Sequence, residues 1–389
     1  MKYKLKDLGE IFTGNTPSKS NAEFYKSKDI GFVKPDILID GIINENLNVN
    51  EYISERARKK ARIVQAGAIF VTCIGSIGKI GIADKELAFN QQINAILPNE
   101  KVYPKYLAYC MLQNKKKLQA IANAPIVPII NKSQFGEIDI EIEENKEKQS
   151  QIIEILEEVS SAIEKRRKQL QQMDKLVESR FIEMFGDPLS NEMCWEQVSL
   201  SVCIESIDNG KSFVCDSEAR EGDWPAVLKL SAATYGYYRP GENKAMFDKN
   251  QFIEDAAVRA GDLLFTRKNT PELVGMCTYV YDTPSKLMMP DLIFRLNTNK
   301  RCNKIFLWKL INHNLFRNCI QAIANGSAKS MSNISKERLL GLKIILPPIK
   351  LQEQFAAFVA QTDKSKIVVQ KALDETQLLF DSLMQKYFG

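Results

Sequence analysis

Two stretches of this chain carry a narrow apolar stripe at steps of three and four residues. In the first, Glu147 to Gly186, the stripe is Ile152, Leu156, Val159, Ile163, Leu170, Met173 and Val177, with Arg166 at the seam position between Ile163 and Leu170. In the second it is Phe355, Val359, Thr362, Lys366, Val369, Leu373, Thr376, Phe380 and Leu383. This spacing predicts two long helices, each with one seam that wants a partner helix. Glu141, Glu143, Glu144 and Glu147 crowd the start of the first, where the helix dipole favours negative charge. Gly186 followed by Pro188 is a helix stop, and Pro347–Pro348 keep the preceding strand from running directly into the second helix. A charged residue breaks each stripe, Arg166 in one and Lys366 in the other, so each helix alone makes a poor homodimeric coiled coil. The expectation is that they pair with each other, antiparallel, with each break near an end or an exposed edge.

Before each helix the pattern changes to short apolar runs broken by turn residues. In the first half the predicted strands are Leu5 to Phe12, Ile30 to Val33, Ala68 to Thr72, Lys79 to Ala83 and Ile93 to Leu97, separated by loops such as TGNTPSKS and CIGSIGK. A helix follows from Pro104, then the strand EIDIEI with strict alternation of acid and Ile. The second half repeats the plan. QAIAN at Gln119 recurs at Gln321, and KQSQI ending at Ile152 answers LQEQF ending at Phe355. RFIEMFG ending at Gly186 answers LMQKYFG ending at Gly389, and VQAGAIFVT answers VRAGDLLFT. Four matches in the same order are not chance. The class is therefore α+β: two tandem, pseudo-repeated α/β domains joined by a pair of long antiparallel helices (a coiled coil). The expected boundaries are 1–145 for the first domain, 146–186 for the central helix, 187–347 for the second domain and 348–389 for the last helix.

Composition narrows the function by exclusion. The chain has 389 residues, 44% hydrophobic and 26% charged, ordinary for a soluble globular protein. No apolar run approaches the roughly 18 residues of a membrane span, and no export signal opens the chain, so a cytoplasmic protein with no membrane partner is expected. Eight cysteines without CxxC spacing predict reduced, buried thiols and no metal. His313 is the sole histidine, which removes Ser-His-Asp, Cys-His and HExxH chemistry unless it serves. Gly75–Ser76–Ile77–Gly78–Lys79 fails as a phosphate loop, because Cys73 and Ile80 stand where Gly and a hydroxyl are required. Nuclease and methyltransferase motifs are missing, so the chain is expected to bind, not catalyse, and to need no cofactor.

The net charge of +5 permits nucleic acid as a partner without demonstrating it. The polar loops at the strand ends supply the side chains. In the first half these are Asn15, Thr16, Ser18, Lys19, Lys34, Thr72, Ser76, Lys79, Asn90, Gln91 and Gln92. The second half offers Lys211, Ser212, Lys229, Ser231, Tyr235, Arg267, Lys268, Asn269, Lys329 and Ser330, with Tyr237, Tyr238 and Arg239 beside them. Asn and Gln suit adenine edges in the major groove, Arg and Lys suit guanine, and hydroxyls and lysines suit phosphates. Two similar but non-identical loop sets describe a reader of two different targets.

The stretch QAIANGSAKSMSNISKERLLGLKIILPPIKLQEQF, its echo in the first half, GNTPS and AGAIFVTCIGSIGKIGIA resemble the specificity subunit of type I restriction–modification systems. That resemblance covers the whole chain. It implies two target-recognition domains, each reading half of a bipartite double-stranded DNA sequence. It also implies paired helices that fix the gap and dock two methyltransferase subunits. Those subunits hold S-adenosylmethionine, and a restriction subunit performs ATP-driven translocation and cleavage. The first copy departs where APIVPIINKS replaces GSAKSMSNIS and where its closing strand ends in EEN instead of LPP. Two other readings stand beside it: a standalone nuclease or fused methyltransferase, and an adaptor whose helices bind proteins alone.

Overall fold

A computed structural model describes residues 1–122, 128–325 and 331–389. The chain divides into two compact units, residues 1–167 with 371–389, and residues 168–370. Each long helix, Lys146–Phe185 and Ile349–Phe388, contributes one half to each unit.

In the first unit the strands Gly9–Thr13, Ile93–Pro98, Ile69–Thr72 and Ile80–Ile82 form an antiparallel sheet, with Ile43–Asn44 added parallel at its edge. A second sheet runs in the order Tyr52–Ile53, Ile30–Val33, Leu87–Phe89 and Ile63–Val64, its central pair parallel. The strand Lys2–Lys4 closes the unit by pairing antiparallel with Asp139–Glu141. The predicted opening strand from Leu5 begins instead as a helical turn, Leu5–Leu8. Leu5 and Leu8, three residues apart, are both buried, which a helical turn allows and strand alternation does not.

The second unit repeats this plan. Ile204–Asn209, Ile293–Thr298, Leu263–Thr266 and Cys277–Tyr279 form the antiparallel sheet. Ala226–Leu228 pairs parallel with Leu287–Met288, and Glu196–Ser199 pairs antiparallel with the closing strand Lys343–Leu346. The packing helix expected as one piece is two in each unit. Pro104–Gln113 is followed by Lys115–Ile121, and Lys304–Asn312 by Arg317–Ala322. In the first unit Asn114 makes the break, its side chain donating to the Cys110 carbonyl at 2.8 Å.

The duplicated Gln of KQSQI and LQEQF has a structural reason. Gln149 and Gln352 are each fully buried. The Gln149 amide accepts from the Tyr103 N–H at 3.0 Å and donates to the Lys101 and Glu143 carbonyls at 3.0 and 2.6 Å. Gln352 accepts from the Asn303 N–H at 2.8 Å and donates to the Arg301 and Pro347 carbonyls at 3.1 and 2.7 Å. One side chain thus satisfies three backbone groups where a long helix leaves its sheet. Gln352→Leu strands all three, and about 3 kcal/mol of stability should be lost. Urea unfolding of the full chain reads this directly, with exposed Glu353→Ala as the neutral control; equal midpoints for the two variants would refute it.

Within each unit the two helix halves run antiparallel. In the first, Leu156 shares a cluster with Met384, Phe380 and Leu383, while Arg166, further along, donates to the Thr376 hydroxyl. In the second, Asp174 pairs with Lys366, and Phe181 and Phe185 pack on the Phe355 ring at 5.5 and 5.3 Å. Leu156, Ile163, Val177, Phe355 and Val359 are buried on this seam; Ile152, Val159, Leu170, Met173, Val369, Leu373, Phe380 and Leu383 are half-buried. The charged breaks lie neither near an end nor at an exposed edge. Arg166 and Lys366 sit mid-helix and half-buried, and Lys366 also reaches Asp363 at 3.6 Å. Their aliphatic stems occupy seam positions while their charged heads reach polar partners at the rim.

Candidate nucleic-acid interface

In both units the loops at one end of the main sheet are tied together by the same backbone bonds. In the first unit the Asn15 N–H donates to the Phe89 carbonyl at 3.0 Å, the Cys73 N–H to Gln92 at 2.8 Å and the Ile130 N–H to Cys73 at 2.9 Å. In the second the Lys211 N–H donates to Met289 at 3.0 Å, the Arg267 N–H to Leu292 at 3.0 Å and the Ile334 N–H to Arg267 at 2.8 Å. A glycine makes the first of these approaches possible in each unit. A Cβ at Gly14 would stand 2.1 Å from the Asn90 carbonyl oxygen, and one at Gly210 would stand 2.2 Å from those of Met289 and Pro290. A side-chain bond repeats as well: the Thr16 hydroxyl donates to Gln91 Oε1 at 2.7 Å, and the Ser212 hydroxyl donates to the Asp291 carboxylate. Asn15, Thr16, Cys73, Gln91 and Gln92 are therefore the counterparts of Lys211, Ser212, Arg267, Asp291 and Leu292.

This frame sorts the side chains expected to touch nucleic acid. Three are buried and face the protein. Thr72, fully buried, donates to the Ser76 carbonyl and accepts from the Lys79 N–H at 3.0 Å, which holds its own loop closed. Asn90, 6% exposed, donates to Gln92 Oε1 at 2.9 Å and accepts from the Gln92 N–H. Asn269, 7% exposed, donates to the Thr234 hydroxyl at 3.2 Å and so fastens the loop carrying Tyr235, Tyr237 and Arg239 beside Lys268. These three build the surface and are not on it. Asn15 is exposed but its amide is engaged at both ends, with the Lys60 carbonyl and the Arg62 N–H. Lys34 is paired with Glu51, Ser231 donates to Glu242 at 2.7 Å, and Ser18 bonds Ser20 at 2.7 Å.

The remaining candidates are open in differing degree. Lys19, Ser76, Gln91, Lys211 and Tyr235 are exposed, while Lys79, Gln92, Lys229, Arg267 and Lys268 are half-buried. Lys329 and Ser330 lie outside the described residues. Arg239 was readable only as a neighbour of tyrosines; its guanidinium stacks at 4.8 Å over Tyr235 and 4.4 Å over Tyr237. Lys336, which no sequence signal singled out, donates to the Ile207 carbonyl at 2.5 Å and lies over the Phe294 ring.

Charge differs sharply between the two loop sets. Lys211, Arg267 and Lys268 occupy positions filled in the first unit by Asn15, Cys73 and Ile74. Cys73 is a buried filler whose thiol burial pushes up to about 12, so it supplies no thiolate. His313 is likewise taken up in packing. It is buried against the Phe181 ring at 5.0 Å, its Nδ1 accepts from the Leu315 N–H at 3.4 Å, and burial lowers its pKa. Among the described residues no three His, Cys, Asp or Glu side chains gather as metal ligands would, and no helix is long and apolar enough to cross a membrane.

A family model described as the type I restriction modification DNA specificity domain matches residues 1–172 and again 201–376. The specificity subunit of the type I restriction enzyme HindI of Haemophilus influenzae is 33% identical over 172 residues, 42% of this chain and 37% of that protein. The EcoEI specificity subunit of Escherichia coli is 29% identical over 237 residues, 58% of this chain and 40% of that one. Each match thus spans less than half of the relative's own length. The crystal structure of a type I restriction–modification S subunit from M. genitalium superposes with a TM-score of 0.62 at 14% identity, covering 100% of this chain and 96% of that one. At that identity the likeness shows the fold.

Proposed function

The chain belongs to the type I restriction modification DNA specificity family, which its two halves match in turn, and from that premise we propose that each unit reads one half of a bipartite DNA target. The paired helices set the number of unread base pairs between the halves, and the chain assembles with methyltransferase subunits and a restriction subunit that perform the chemistry. It carries no catalysis and no cofactor of its own, and it works in the cytoplasm, where the chromosome is.

One observation carries the reading: a single loop framework, held by the same backbone bonds and the same glycine contacts, occurs twice in one chain with different exposed side chains. A fold that keeps its frame and varies its rim is suited to the same task on two different sequences. Open lysines and hydroxyls offer phosphate contacts, which position the protein, while the amides and Arg267 offer base contacts, which specify.

The test is selection of random duplex DNA by the chain assembled with its methyltransferase subunits. Two unlike half-motifs separated by an unselected gap are expected. A single uninterrupted motif would contradict the division of labour between the units.

A further inference from the structure

We infer that Arg267 reads a guanine, so that the half-site taken by the second unit contains a G·C pair read from a frame position that Cys73 fills in the first unit. The inference rests on the DNA-reading function proposed above.

Arg267 is the only member of the loop frame whose type, support and freedom all point to one base. Its backbone is fixed on both sides, by the N–H bond to Leu292 and the bond accepted from Ile334. The guanidinium lies 4.9 Å over the Phe294 ring. Nε and Nη2 both reach Asn333 Oδ1, at 3.4 and 3.3 Å. One edge of the planar group is thus spoken for. Nη1 has no partner among the described residues, which leaves the end of the fork free. That end presents two parallel N–H donors, and guanine alone among the bases presents two adjacent acceptors, N7 and O6, in the major groove. A lysine in the same place would offer charge without the fork. Lys211, exposed beside it, and Lys268, whose ammonium is 4.0 Å from Asp291, add positive charge at the rim for the flanking phosphates.

The position equivalent to Arg267 in the first unit carries no such donor. Cys73 holds the corresponding position and is buried, and its neighbour Ile74 is apolar. The first unit's accessible groups in this frame are the Thr16 hydroxyl and the amides of Gln91 and Gln92, beside an Asn15 amide already engaged at both ends. A guanine contact of this kind is therefore expected in one half-site only.

Arg267→Lys, in the full chain assembled with its methyltransferase subunits, separates base reading from charge. Wild-type and variant assemblies select from random duplex DNA, and affinity is measured at several salt concentrations. The wild type should select a guanine in one half-site. Arg267→Lys should lower preference for that base about tenfold or more while leaving the other half-site and the salt slope unchanged. Asn333→Ala, which frees the guanidinium edge without removing the charge, should weaken the same position to a smaller degree. If Arg267→Lys weakens all sequences equally, or changes a position that is not guanine, the inference is wrong and the DNA-reading function stands. If the wild type selects no motif, that function falls and the inference falls with it.

Discussion

Phe355→Ala should cost the chain about 4 kcal/mol of stability, the largest loss from any single side chain on the second long helix. Phe355 is fully buried. Its ring meets Phe181 edge-on at 5.5 Å and Phe185 at 5.3 Å, and both of those rings pack on Phe306. Four phenylalanines from three helices thus form the joint that seats the helix pair on the second unit's core. Truncation removes the transfer energy of a benzyl group and leaves a cavity that rigid rings on two sides cannot collapse into. Val368, on the same helix, is 69% exposed, and Val368→Ala should change stability by no more than about 0.5 kcal/mol. Guanidinium unfolding of both variants reads the contrast. A Phe355→Ala midpoint close to that of Val368→Ala would mean that this ring does not anchor the helix.

Particular residues show why some of this was legible in the sequence. The seam was, because burial of one helix face imposes a periodicity on residue type: Leu156, Val177 and Phe355 lie where the three-and-four spacing put them. The duplication was, because the same joints need the same residues twice, as with Gln149 and Gln352. The candidate interface was open to sequence reading only as a set of polar loops. Thr72, Asn90 and Asn269 are polar residues in polar loops, indistinguishable in the sequence from Gln91 or Lys211. Whether a loop side chain faces water or its own backbone depends on the path of the loop, which pairings between distant residues set. Arg166 and Lys366 failed as breaks for a related reason: pattern reading scores a charged residue by its tip, while packing uses its stem. Arg267 is oriented by Asn333 and Phe294, both distant from it in the chain, so its neighbours in the sequence do not show its role.

In the proposed function one chain reads two half-sites and its helices count the base pairs between them. Inserting four helix-forming residues into both long helices, between Arg167 and Lys168 and between Gln370 and Lys371, tests it. These points lie where the chain passes between its compact units. At about 1.5 Å and 100° per residue, four residues add about 6 Å and a net turn of about 40°. B-DNA at 10 to 10.5 base pairs per turn rotates about 35° per pair and rises about 3.4 Å. The added turn corresponds to about one base pair and the added length to about two. The measurement is a genome-wide map of methylated adenines in cells carrying the wild-type or the doubly inserted chain with its methyltransferase subunits. The same two half-sites are expected, separated by a gap one or two base pairs longer. Methylation at the original spacing would contradict it.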